Sequence, residues 1–150
     1  PTRARLSNPL YGKYYLDGIR FNQSMFYWRT SIAMEREYGR KIPAMFLFHT
    51  PVPEMTYIPM NQTQTNMEGY QWETVRCQVV AGGLFTAAVE RGDVRAMFAG
   101  HSERNDFHGI YGRILMGQMR DFTLPDGSFT GGTLFEIDAD GNVGVSHAAI

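Results

Sequence analysis

The chain has a single cysteine, Cys77, among its 150 residues. No internal disulfide can form, and a zinc site built on several thiolates is excluded. A buried, inert thiol is the expectation for Cys77. Any transition-metal site must use histidine and carboxylates instead. An excess of charge is also missing: 14 Lys and Arg face 15 Asp and Glu, for a net charge of −1. Nucleic acid or an anionic membrane as the main partner would favour a basic face, so the balance argues against both. No apolar stretch approaches the length of a membrane span, and no segment has the charged start and apolar middle of a signal peptide. Repeats and low-complexity tracts are absent. The cellular compartment stays undetermined.

What is present is a globular composition. Hydrophobic residues make up 43% and charged residues 19%, which fits one domain over 1–150 with a core of its own. Residues 1–19, rich in Gly, Pro, Asn and Tyr, read as irregular. The spacing of Phe21, Met25, Trp28 and Ile32 predicts a helix over 21–38 with one apolar stripe, stopped by Gly39. The run AMFLF at 44–48 predicts a buried strand, ended by His49 and by the prolines at 51 and 53. Residues 55–73 show no periodicity and read as a long loop. In it Tyr57, Tyr70 and Trp72 either stack on a ligand or pack on the scaffold.

Residues 84–91 suit a second helix closed by Gly92, and 94–99 a second buried strand. Leu124-Pro125-Asp126-Gly127 reads as a turn. Residues 133–137 and 143–145 flank DADGN, which resembles part of a calcium loop but lacks the downstream glutamate; a terminal hairpin is expected. The order of elements predicts an α/β (α+β) layering, with functional loops at the carboxyl ends of strands.

Two histidines hold equivalent places. His49 and His101 each follow an apolar run at its carboxyl end, where open α/β sheets gather ligands. A neutral imidazole there can coordinate a metal, and Glu103 in GHSERND can add an oxygen. The alternative is a hydrogen-bonded edge residue at each position. His108 is expected in a loop, lining a cleft or facing water. His147 is expected near the terminus, in solvent.

Three segments together, FLFHTPVPE, GGLFTAAVERGDVRAMFAGH and GHSERNDF, resemble the C-terminal half of calcineurin-like metallophosphoesterases, in the purple-acid-phosphatase-like branch. In that branch a strand ends in a histidine followed by a Pro-x-Pro-Glu-like turn. A helix then leads to a strand that ends in Gly-His-x-His, with Asn-Asp-Phe close behind. The resemblance runs from about residue 20 to about residue 117. It implies half of a layered αββα sandwich, a mixed β-sheet with flanking helices, and hydrolysis of a small-molecule phosphate ester at a two-metal centre of Fe, Mn or Zn. It also implies that His49 and His101 are metal ligands. The family's second histidine falls on Glu103, which either binds metal or pairs with Arg104 or Arg113. Asn105, Asp106 and His108 become candidate substrate contacts.

The family's opening motifs, Asp-x-His, Gly-Asp-x-x-Asp and Gly-Asn-His, supply most of its ligands and its general acid. No Asp-x-His precedes the first strand, and no Gly-Asn-His occurs at all. No catalytic residue is therefore assigned. A chain of this kind is expected to be incomplete alone and to pair with a missing N-terminal half or with a second copy. The alternative is a non-catalytic binding or structural module derived from the scaffold.

Overall fold

The computed structural model describes residues 18–120 and 131–149. Residues 1–17 of the irregular stretch expected at 1–19, and the turn expected at 124–127, lie outside the described residues. The elements run α1 (Phe21–Tyr38), β1 (Ala44–Phe48), a 3₁₀ turn (Pro53–Thr56), α2 (Tyr57–Met60), α3 (Gln62–Thr65), β2 (Glu68–Gln71), α4 (Leu84–Arg91), β3 (Val94–Ala99), β4 (Asn105–Tyr111), β5 (Ile114–Gln118), β6 (Gly131–Ile137) and β7 (Val143–Ala149). Five strands form one mixed sheet in the order β1-β3-β5-β4-β2, and β6 and β7 form a separate antiparallel pair. This is α/β architecture, a five-stranded mixed sheet with flanking helices and a C-terminal hairpin, consistent with half of a metallophosphoesterase sandwich.

Strand alternation sorts side chains onto two faces. Met97 and Ala99 of β3 and Phe107 of β4 join the buried cluster with Tyr27, Met55, Ile58, Leu84 and Ala88 from the helices and the 3₁₀ turn. Their neighbours Phe98 and His108 point the other way, and Phe98 meets Phe135 of the hairpin edge-on at 4.8 Å between ring centres. Helices therefore cover one face and the hairpin stands on the other.

Both helix ends are built as expected. Gly39 and Gly92 take left-handed conformations after α1 and α4, a position where a side chain would be strained. The stretch at 55–73, expected as a loop, instead holds α2, α3 and the edge strand β2. The two helices are about one turn long and the strand has four residues, too short for periodicity to reveal them.

The expected apolar stripe of α1 is not its buried face. Phe21 is 71% exposed, and the buried positions are Ser24, Tyr27 and Ser31. The reason is Asp93, a carboxylate buried just before β3. It accepts hydrogen bonds from the Tyr27 and Ser31 hydroxyls. Arg91 donates to Ser31 at 2.8 Å and pairs with Glu35. Satisfying a buried carboxylate outweighs burying one more phenyl ring, because an unpartnered charge is the costlier error. Burial, then the bond to Asp93, drives the Tyr27 hydroxyl far above its usual pKa, so it stays a donor.

Asp93→Ala would strand both hydroxyls in the core. The expected cost is roughly 3 kcal/mol, read as a lower urea midpoint with an unchanged m-value. A loss within about 0.5 kcal/mol would show that α1 is held by something else.

Candidate functional site

The site follows from the pairing of β1 with β3. The two strands are parallel and adjacent, with Phe48 opposite Ala99 at their carboxyl ends. The Gly100 amide still donates to the Phe48 carbonyl at 3.3 Å. His49 and His101 therefore leave the sheet side by side. His101 Nδ1 lies 3.0 Å from His49 Nε2, and the rings meet edge-on with centres 4.8 Å apart.

The backbone at His101 is unusual. Its φ is +71°, and the Ser102 amide donates to the Gly100 carbonyl at 2.9 Å, closing a three-residue turn around the histidine. Such a turn with positive φ at its centre is the rarer, strained form. The neighbouring Gly100, the residue that could adopt it freely, does not have a positive φ. The strain is held in place from outside. Arg76 donates through its guanidinium to the His101 carbonyl at 3.1 Å, and its amide donates to the Ser102 hydroxyl oxygen.

His101 Nε2 is buried without a hydrogen-bond partner among the described residues. Burial first, then the nearby His49 and Arg76, lower the affinity of the His101 ring for protons. The neutral imidazole thus keeps one buried ring nitrogen unused, distinct from the Nδ1 that faces His49, and orphaned buried polar atoms call for a physical account. Two imidazole nitrogens 3.0 Å apart either share one proton or share one ion.

As a test of metal fit, this pair supplies only part of a ligand set. Among the described residues no group of three or more His, Cys, Asp or Glu is placed to hold a metal ion. Glu103 is exposed and does not complete such a group. It acts on His101 only as a lesser influence that favours protonation.

The candidate substrate contacts are engaged with the fold. Asn105 is fully buried; its Oδ1 accepts from the amides of Trp72 and Glu73 at 3.0 Å, and its Nδ2 donates to the Glu73 carbonyl and to Gln118 Oε1. Gln118 donates in turn to the Gly100 carbonyl at 3.1 Å. Asp106, 2% exposed, pairs with Arg120 and accepts from the Tyr70 amide. His108 lies on β4 rather than in a loop and faces His147 of the hairpin, with ring nitrogens 3.2 Å apart. His147, expected in solvent, is half-buried there. The chain does hold one Asp-x-His, Asp106-Phe107-His108, but it follows the strand-end histidines and sits on β4.

Sequence reasoning missed the polar line Glu73–Asn105–Gln118–Gly100 and the role of Arg76. The aromatic residues divide: Tyr57 stacks on Tyr111 at 5.2 Å, whereas Tyr70 and Trp72 are 64% and 65% exposed on and beside edge strand β2.

The strain at His101 has a measurable consequence. Because a left-handed residue costs an L-side chain about 1–2 kcal/mol, His101→Gly should be more stable than His101→Ala by about 1 kcal/mol in denaturant unfolding. The reverse order would mean that the turn is unstrained.

No known family profile matches the chain, and no solved structure matches it. Three proteins of Arabidopsis thaliana are similar to it. The chain is 34% identical to "Probable inactive purple acid phosphatase 29" over 101 residues, 62% of this chain and 25% of that protein. It is 32% identical to "Probable inactive purple acid phosphatase 14" over 108 residues, 65% of this chain and 26% of that protein. It is 36% identical to "Probable inactive purple acid phosphatase 28" over 67 residues, 45% of this chain and 16% of that protein. The chain spans about a quarter of the length of the first two. The similarity to purple-acid-phosphatase-like proteins is partial and distant, and it reaches the same family that the strand-end histidine motifs resemble.

Proposed function

We propose that this chain forms part of a metallophosphoesterase-type domain of the purple-acid-phosphatase-like branch, in which His49 and His101 hold one divalent ion, Fe, Mn or Zn, beside a small-molecule phosphate ester. The observation that carries the reading is the contact of the two imidazoles at neighbouring strand ends. One ring is held on a strained turn with a buried ring nitrogen unpartnered, and strain of this kind concentrates at functional positions. This pair needs further ligands, either Glu103 or groups outside the described residues. An ion bound there would polarise a phosphoryl oxygen and acidify bound water.

Binding without turnover is the reading favoured for these residues alone. Two imidazoles are fewer ligands than a catalytic zinc site uses, and no side chain is assigned as acid for the leaving oxygen. The names of all three similar proteins carry the word inactive. Asn105 serves here by fixing the loop that presents His101, Asp106 by holding Arg120 and the Tyr70 amide, and His108 by its contact with His147. The second reading, hydrolysis of a phosphate ester, needs ligands from an N-terminal half or a second copy. The outer edge of β1 suits such a partner: among the described residues the strand pairs with β3 alone, and Leu47 on it is 58% exposed. Uncovered apolar edges of this kind attract another strand.

Paramagnetic Mn²⁺ added to the protein should broaden the ring-proton signals of His49 and His101 before those of His108 and His147, and His101→Ala should abolish the effect at His49. Broadening that spares both strand-end rings would end the metal reading. With added Mn²⁺ or Zn²⁺, a chromogenic phosphate ester should be hydrolysed at background rate. Turnover lost in His101→Ala would establish the hydrolytic reading instead.

A further inference from the structure

The second pair of histidines lies on the hairpin face of the sheet, opposite the helices. His108 projects from β4 and its side chain is 12% exposed. His147 projects from β7, directly across the hairpin from Thr133. Among the described residues the hairpin shares no strand ladder with the five-stranded sheet, and a lone two-stranded hairpin is marginally stable in water. Its described ties to the sheet are few. Phe135 packs on Phe98, the Arg120 amide donates to the Thr133 hydroxyl oxygen at 2.8 Å, His147 meets His108, and Gly141 in the hairpin turn lies close against Pro43 ahead of β1.

We propose that the His108–His147 contact is a pH-operated latch, which docks the C-terminal hairpin on the sheet and releases it when both rings carry a proton.

The hydrogen bonding has one consistent direction when both rings are neutral. The Thr133 oxygen accepts from the Arg120 amide and lies 3.0 Å from His147 Nδ1. Its hydroxyl proton is then available to His147 Nδ1. His147 must carry its own proton on Nε2, which donates to His108 Nδ1 across 3.2 Å. His108 then holds its proton on Nε2, facing the Glu68 carboxylate at 3.8 Å. The opposite direction would aim a bare nitrogen lone pair at that carboxylate. Both rings are therefore assigned the Nε2–H form.

One added proton is tolerated. A charged His108 would donate to His147 Nε2 and gain from Glu68, while the His147 proton moves to Nδ1 and donates to Thr133. A second proton has no place. Both facing nitrogens become donors with no acceptor between them, and two positive charges share a half-buried site. The charged groups facing the pair do not cancel this. Glu68 on β2 is exposed, Asp106 on β4 already pairs with Arg120, and Arg120 after β5 is itself cationic.

The direction of the pH effect follows from linkage. Burial first lowers the pKa of both docked rings from the ordinary 6.5; for His147 the neighbouring His108 and Arg120 lower it further, and Asp106 opposes. The undocked hairpin returns the rings to ordinary values and so binds more protons. Docking is fully favoured above the ordinary histidine pKa and loses that advantage as the pH falls below it. Release would uncover Phe98 and Phe135 and remove the Arg120–Thr133 tie beside Asp106.

Proton NMR on the intact chain tests this. Cross-relaxation between the Phe98 and Phe135 rings should be present at about pH 7.5 and lost by about pH 5, with a midpoint below 6.5. Amides of β1, β3 and β5 should stay protected from exchange throughout. Long-range proton–nitrogen spectra at the higher pH should show both rings as Nε2–H. His147→Gln should leave the Phe98–Phe135 signal independent of pH over this range. Ring contacts that survive protonation of both histidines, or titration of both at or above 6.5, would overturn the latch in the unaltered protein, whatever the variant does.

Discussion

Parallel pairing of β1 with β3, in register to the last residue of each, is the constraint on which the rest depends. It brings two segments 52 residues apart in sequence to the same edge of the sheet and turns both histidines off it together. A slip of one residue would reverse the face of every side chain on β1. It would separate Phe46 from Tyr27, which it meets edge-on at 4.8 Å, and carry His49 away from His101. The site is thus a by-product of core packing, as expected where ligands gather at strand carboxyl ends.

Asp93 protects that register from the other end. Its carbonyl accepts from the Ala44 amide at 2.9 Å, while its carboxylate holds Tyr27 and Ser31 of α1. One residue therefore couples the first long helix, the start of β1 and the start of β3. The arrangement puts a polar stripe inside and leaves Phe21 and Phe26 of α1 exposed. Those rings and Leu47 on β1 are exposed apolar side chains among the described residues.

On the far side of β3 the loop bearing His101 is fixed by polar contacts. Asn105 and Gln118 are both fully buried, and together they connect the 72–73 backbone to the Gly100 carbonyl. A buried network with its donors and acceptors matched can hold a strained turn in one conformation, because each alternative leaves a polar atom unpaired. The hairpin is held differently, by the Phe98–Phe135 contact, the Arg120–Thr133 bond, the approach of Gly141 to Pro43 and a pair of histidines that titrate. The two histidine pairs look alike in distance, 3.0 and 3.2 Å, yet their surroundings differ: a buried unpartnered nitrogen in one, a continuous donor chain from Thr133 in the other.

The sequence by itself determined what is local and periodic. The long helix at 21–38, the strands at 44–48 and 94–99, the helix ending at Gly92 and the terminal hairpin were all legible, because length, apolar runs and glycine stops act within a few residues; the burial expected for 44–48 was not, since β1 lies at the end of the sheet with Leu47 58% exposed. The equivalence of His49 and His101 was legible for the same reason, since each closes an apolar run. Their contact depended on tertiary structure, because parallel neighbours are chosen by register and by the segment between them. So did the buried face of α1: its stripe of Phe21, Met25, Trp28 and Ile32 gave way to Ser24, Tyr27 and Ser31 once Asp93 had to be satisfied in the core. The fates of His108 and His147 were invisible for a similar reason. Ring nitrogens separated by 39 residues meet only when the hairpin folds over the sheet, and no spacing in the chain encodes that closure.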